Sequence, residues 1–307
     1  MSRIFDALQR ADLERRTGQV PEVEPFDDSA VVPDSVEPSP VQADVALEDV
    51  AQYSWKPSFA SILSPADSSE KIEQFRRLRS RLSQARHEAP LKTVLISSGL
   101  PSEGKSFVAV NLAMTLARDS VNQVLLIDGD MRRPTLHSLL GAPSTPGLSE
   151  YLSGTAELKD ILQRDSGPRK GEAAKLGDVP NLIFIPSGKC GESSSELVAN
   201  HRMQELIETV SPHFDWILID TPPVLAVTDA VDLASAADAV LLVARAAKTP
   251  YQAAQRALAM YKDTRILGVV LNAVKNVPHK DYYYSSYYSG QNNNSKTHQD
   301  KSMRRQH

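Results

Sequence analysis

The stretch SSGLPSEGKS, Ser97 to Ser106, decides how the rest of the chain reads. From Gly99 to Ser106 it satisfies G-x-x-x-x-G-K-S, and it lies between the apolar run Thr93 to Ser97 and a helical pattern from Gly104 to Arg118. In a loop set between a strand and a helix in this way, backbone N–H groups converge on phosphate oxygens and the helix N-terminus adds favourable potential. Lys105 can reach the β and γ phosphates and Ser106 can ligate Mg²⁺, so the ligand expected is a nucleoside triphosphate, ATP with Mg²⁺. The candidate contacts along the loop are Gly99, Ser102, Glu103, Gly104, Lys105, Ser106 and Phe107.

Outward from the loop, further apolar runs read as buried strands: Val124 to Ile127, Leu182 to Ile185, Trp216 to Ile219, Ala239 to Val243 and Ile266 to Leu271. Helical patterns at Ser194 to Val210 and Pro250 to Asp263 lie between several of them. The alternation predicts an α/β domain, a doubly wound, mostly parallel sheet, and the G-x-x-x-x-G-K-S loop makes it of the P-loop NTPase type. Two strands run into acidic residues. Asp128 and Asp130 follow the second run in QVLLIDGDMRRP, and Asp220 follows the fourth in FDWILIDTPP. Ligands of open α/β sheets bind at the carboxyl ends of strands, where a carboxylate can hold a metal through water or orient a nucleophile.

Composition sets the limits. The chain has 307 residues, 41% of them hydrophobic and 23% charged, enough for one large domain with appendages. No run approaches a membrane-spanning length, and Arg3, Asp6 and Arg10 interrupt any signal-peptide core, so a cytosolic protein is expected. Cys190 is the only cysteine, which excludes an intramolecular disulfide and argues against a cysteine-held metal centre. Gln19 to Gln52 holds nine acidic residues, five prolines and no Lys or Arg; without it the remainder would carry +5 where the whole carries −4. The segment reads as a disordered acidic linker, drawn here as 19–57. Ahead of it, residues 1–18 read as an amphipathic docking helix, with Ile4, Phe5, Leu8, Ala11 and Leu13 near helical spacing. The domain is drawn as 58–276, with a helix at 69–88 and a polar surface insertion from Arg164 to Asp178. Residues 277–307 read as a polar, flexible tail in which Tyr282, Tyr283, Tyr284, Tyr287 and Tyr288, five of nine tyrosines, fall within seven positions.

From about Ser69 to Asn276 the chain resembles the bacterial tyrosine kinases of capsule and exopolysaccharide loci, the BY-kinases, in their cytoplasmic CpsD/CapB-like type. The motifs carrying the resemblance are SSGLPSEGKS, LLIDGDMRRP, WILIDTPPV, SSSELVAN and GVVLNAV. The resemblance implies an ATP-dependent autokinase in which Lys105 and Ser106 bind phosphate and Mg²⁺, Asp130 and Asp220 help hold the metal, and Asp128 is the base for a tyrosine hydroxyl. It implies that Asn272 lies near the adenine. Glu73, Arg76 and Arg79 match the family's E-x-x-R-x-x-R pattern, associated with ring assembly, and the tyrosine cluster resembles its autophosphorylated tail. Ser102 departs from the family's usual glycine.

The same resemblance implies a membrane-spanning adaptor controlling polysaccharide chain length or export, recruitment to the inner face of the plasma membrane, and a protein-tyrosine phosphatase as counterpart. Nucleic acid is not an expected partner. The alternatives are a MinD/ParA-type positioning ATPase and a catalytically silent nucleotide-binding regulator of export. The first places a lysine early in its P-loop where this chain has Leu100, and nitrogenase-type relatives need two cysteines per subunit.

Overall fold

The computed structural model describes residues 50–58, 69–119, 121–167, 180–189, 197 and 201–274. Residues 1–49, the tyrosine cluster, Cys190 and all of SSSELVAN except Leu197 lie outside the described residues.

Eight strands form one sheet: β1 (Ala51–Tyr53), β2 (Thr93–Ser98), β3 (Val124–Asp128), β4 (Gln163–Asp165), β5 (Leu182–Ile185), β6 (Trp216–Asp220), β7 (Ala239–Arg245) and β8 (Ile266–Asn272). Their order is β1-β4-β5-β3-β6-β2-β7-β8, and every neighbouring pair is parallel except β4 with β5. The helices are α1 (Ser69–Glu88), α2 (Lys105–Ala117), α3 (Leu136–Leu140), α4 (Leu148–Leu152), α5 (Leu158–Ile161), α6 (Arg202–Val210), α7 (Asp229–Ala234) and α8 (Tyr251–Met260).

The central strands are buried along their whole length because both faces are covered, which is why their sequences are unbroken apolar runs instead of alternating ones. Leu95, Leu125, Ile127, Ile217 and Ile219 face one core layer with α4, α6, α7 and α8. Val94, Ile96, Leu126, Leu218, Leu241 and Val243 face the other, with α1 and α2. The small residues Ala109, Ala113 and Ala117 let α2 sit deep against the sheet. Across this layer Arg86 of α1 lies over the Trp216 ring, 4.9 Å from its centroid.

The linker boundary at residue 57 is corrected by the structure. Val50 is buried, Ala51–Tyr53 pairs with β4, and Trp55 is only 6% exposed. The backbone N–H of Trp55 donates to Asp165 Oδ1 at 3.1 Å, and its ring meets Phe184 edge-on at 6.1 Å. One tryptophan thus draws the end of an acidic, proline-rich segment into the core, where burial of its large apolar surface offsets the entropy of ordering. The insertion drawn from Arg164 is corrected too, since Arg164 and Asp165 belong to β4; residues 168–178 lie outside the described residues.

Candidate active site

The P-loop joins β2 to α2 at the carboxyl edge of the sheet. Gly104 has φ +92°, and a Cβ there would displace Asn272 Nδ2, so glycine takes this position at least cost. The Val108 N–H makes the first helical bond, to the Gly104 carbonyl at 3.0 Å. The amides of Lys105, Ser106 and Phe107 therefore stand ahead of the helix ladder, free to face an anion.

Register aligns the acidic residues. In the β3–β6 pair Asp128 lies opposite Asp220. The Gly129 N–H donates to the Asp220 carbonyl at 2.8 Å, and a Cβ at Gly129 would come within 2.7 Å of that oxygen, so glycine is what lets the two strand ends close up. Asp130 then reaches the P-loop: its Oδ2 lies 2.9 Å from Lys105 Nζ, and its Oδ1 accepts the Arg133 N–H at 3.0 Å. Lys105 Nζ is also 3.8 Å from Asp220 and donates to Ser106 Oγ at 3.4 Å. Lys105, Ser106, Asp128, Asp130 and Asp220 are all brought together.

The cluster is nearly dry. Asp128 and Asp220 are 0% exposed. Burial, reinforced by the Asp220 charge, pushes the Asp128 carboxyl up to about 8, against the opposing Leu136 amide. Burial likewise raises Asp220 to about 6, with Lys105 and then the nearby Ser106 hydroxyl holding it back. Burial works against the Lys105 charge, but Asp220 and Asp130 outweigh it and its pKa is raised. Asp128 Oδ2 accepts the Thr135 and Leu136 N–H groups at 3.2 and 3.0 Å, and its Oδ1 accepts the Asp130 N–H at 3.3 Å. A hydroxyl approaching Asp128 must therefore compete for Oδ1, the more weakly engaged oxygen.

Neither Asp220 carboxylate oxygen has a well-formed hydrogen bond within the protein. A buried carboxylate in that condition, beside Ser106 and Asp130, has the donor chemistry that suits hydrated Mg²⁺. The protein donor set is small, so an ion held here takes most of its ligands from water and phosphate.

For several of the residues read as nucleotide contacts or assembly residues the structure shows contacts within the chain. The Glu103 side chain, 3% exposed, is turned behind the loop, where Oε2 accepts the Leu100 N–H at 2.8 Å and Oε1 accepts the Thr249 hydroxyl; only its backbone remains for phosphate. Asn272 Nδ2 donates to the Glu103 carbonyl at 3.0 Å, which ties it to the P-loop backbone. The Phe107 ring meets Phe75 of α1 at 6.0 Å, so its side chain belongs to the helix packing. Gly99 backs onto Ala257 of α8, with a built Cβ 3.2 Å from the alanine Cβ. Ser102 adopts φ +63°, the conformation glycine takes at least cost. In α1, Glu73 pairs with Arg76 at 3.6 Å and Arg77 at 3.8 Å, and Arg79 Nη1 reaches the Thr115 carbonyl at 3.4 Å. Sequence reasoning missed Thr249, Arg245 and the bidentate Arg132–Asp229 pair, at 2.8 and 3.3 Å. Only the last carries a local signal, the basic run after Asp130.

The family profile described as "AAA domain" matches residues 98–265. The tyrosine-protein kinase YwqD of Bacillus subtilis is 33% identical over 215 residues, covering 69% of this chain and 85% of that protein. The tyrosine-protein kinase wzc of Salmonella typhimurium is 35% identical over 220 residues, covering 70% of this chain but 29% of that protein. The chain spans less than a third of the length of several curated relatives that it matches. Among solved structures, the kinase domain of Escherichia coli tyrosine kinase ETK aligns with a TM-score of 0.64 and 31% identity, over 74% of this chain and 84% of that one. Sharing the P-loop fold with the kinase domain of one relative, and a third of the aligned residues with another over most of that protein's length, the chain belongs to the family of bacterial tyrosine-protein kinases.

Proposed function

We propose that the chain is an ATP-dependent protein-tyrosine autokinase that phosphorylates Tyr282, Tyr283, Tyr284, Tyr287 or Tyr288 and thereby regulates polymerisation or export of an exopolysaccharide or capsule. The observation that carries the reading is the buried acidic cluster at the P-loop mouth, with Lys105 between Asp130 and Asp220 and Asp128 opposite Asp220 in the sheet. Ser106, Asp130 and Asp220 would hold Mg²⁺, which when bound neutralises charge on the β and γ phosphates. Lys105 and the amides at the start of α2 orient the triphosphate. The tyrosine oxygen attacks the γ-phosphorus, the bond from that phosphorus to the bridging oxygen of ADP breaks, and the phenolic proton passes to Asp128, whose raised pKa suits a proton acceptor. Leu100 supports this reading over the MinD/ParA-type alternative, which uses a lysine there.

Transfer between subunits of a ring assembled through Glu73, Arg76 and Arg79 fits a tail that must reach a second P-loop. Reach alone does not require it: Tyr282 is eight residues beyond Val274, about 28 Å of fully extended chain. Among the described residues no helix is long and apolar enough to cross a membrane. In this reading a separate membrane-spanning chain-length or export adaptor supplies recruitment to the inner face of the membrane, and a tyrosine phosphatase resets the tail.

The test mixes Lys105→Met chains, which keep the tail, with active chains whose five tail tyrosines are Phe, in ATP and Mg²⁺. Phosphotyrosine mapped by mass spectrometry to the tail of the Lys105→Met chains is the expected result. Wild-type chains that label themselves while the mixture stays blank would limit transfer to single chains. Wild-type chains that never label would remove the kinase reading.

A further inference from the structure

Glu103 poses a physical problem. A buried carboxylate behind a phosphate site opposes the bound anion, so charge does not account for its presence. Its contacts do. Leu100 N–H and the Thr249 hydroxyl occupy its two oxygens, and Thr249 Oγ1 in turn accepts the Arg245 N–H at 2.8 Å. Arg245 Nη1 donates to the Ser102 carbonyl at 3.1 Å, and Asn272 Nδ2 donates to the Glu103 carbonyl. The two sheet strands that supply these donors are themselves tied, Ala246 N–H to the Asn272 carbonyl at 2.9 Å, and each ends in a left-handed residue, Ala247 at φ +56° and Ala273 at φ +54°.

The consequence is geometric. An anion-binding nest forms when successive peptide N–H groups turn inward, which requires their carbonyls to turn outward. Ser102 and Gly104 are the left-handed residues of the loop, and the carbonyls of Ser102 and Glu103 are captured from outside. We infer that Thr249, acting through Glu103, and Arg245, acting through the Ser102 carbonyl, are positioning residues that hold the P-loop in its phosphate-ready shape before nucleotide arrives. Neither touches the reacting atoms. Both reduce the ordering cost of binding, so their loss weakens nucleotide affinity and leaves the transfer step intact.

This inference rests on the kinase reading only in requiring a nucleotide at the P-loop. The test titrates the full chain with a fluorescent ADP analogue and Mg²⁺, alongside kcat and KM for ATP in autophosphorylation. Thr249→Val, which keeps the shape and removes the hydroxyl, is expected to raise Kd and KM about tenfold, the scale of one hydrogen bond to a charged group, while kcat stays within about twofold. Thr249→Ser, which restores the hydroxyl, is expected to bind as wild type. Wild-type affinity in Thr249→Val overturns the inference, as does a Thr249→Ser chain that falls with it. Should Thr249→Val fail to fold, Arg245→Ala removes a solvent-facing donor and carries the same test: a raised Kd supports positioning and an unchanged one overturns it. If no phosphotyrosine forms in any chain, the kinase reading fails while the titration still decides the brace.

Discussion

Asp128 is held where its charge is least welcome, and two measurable effects follow from that. Its carboxyl is raised to about 8, so a reaction using it as base gains rate with rising pH through that region. Asp128→Asn is expected to bind nucleotide normally, lose about a hundredfold or more of its transfer rate, and lose that pH limb, as read by a phosphotyrosine assay. Stability runs in the opposite direction. Asp128 and Asp220 both have folded pKa values above their unfolded ones, so the folded state holds extra protons and loses stability as pH rises out of the ordinary carboxylate range, the loss levelling off above about 6 for Asp220 and above about 8 for Asp128. The ligand-free Asp128→Asn chain should therefore lose less melting temperature than wild type between about pH 6 and about pH 9 in a thermal scan. Lys105, Ser106 and the three aspartates are legible in sequence because a fixed spacing and a strand end together define a position in space. The internal contacts of the Glu103, Phe107 and Asn272 side chains are not legible there, because a motif locates a residue and not the direction of its side chain. Thr249 lies 146 residues from the Glu103 oxygen it holds, and no local pattern connects them.

At the level of elements, apolar runs mark β2, β3, β5, β6 and β7 because two covered faces leave no polar period to hide them, and β8 carries such a run although Val269 and Leu271 stand exposed at the sheet margin. β1 and β4, each three residues long with the sequences AQY and QRD, carry no such signal. Their strand character comes from pairing with each other and from the anchors beside them. Helices α3 to α5 have four or five residues, too few for a 3.6-residue period to declare itself. The acidic linker conceals Trp55 because composition is averaged over a window while burial is decided by one side chain. Trp55→Ala is expected to cost about 3 kcal/mol or more in denaturant unfolding, and a chain trimmed to begin at residue 58 should show a comparable loss. A trimmed chain as stable as the whole would show that β1 contributes nothing.

Across the whole molecule, β1 and β8 are opposite margins of the sheet, seven strand spacings or about 34 Å apart. The described chain therefore enters the sheet at one margin and leaves it at the other. α1 belongs to the β2 and α2 side of the core, with Arg76 and Arg77 exposed and Arg79 engaged by Thr115. Because Arg79 ties α1 to α2, whereas Arg76 is exposed and, among the described residues, pairs only with Glu73 of its own helix, Arg76→Glu is the cleaner test of assembly. Under conditions where wild type is oligomeric, light scattering should give a smaller species for Arg76→Glu, and equal masses would remove α1 from the interface. The chain has only two tryptophans: Trp55 pins the entering strand, and Trp216, buried in the central strand β6, lies beneath Arg86 of α1. In a Trp55→Phe chain all indole emission comes from Trp216, with a guanidinium held over its face. Any shift of α1 changes the polarity and quenching at that ring, so the protein carries an intrinsic optical reporter of that helix and needs no attached dye.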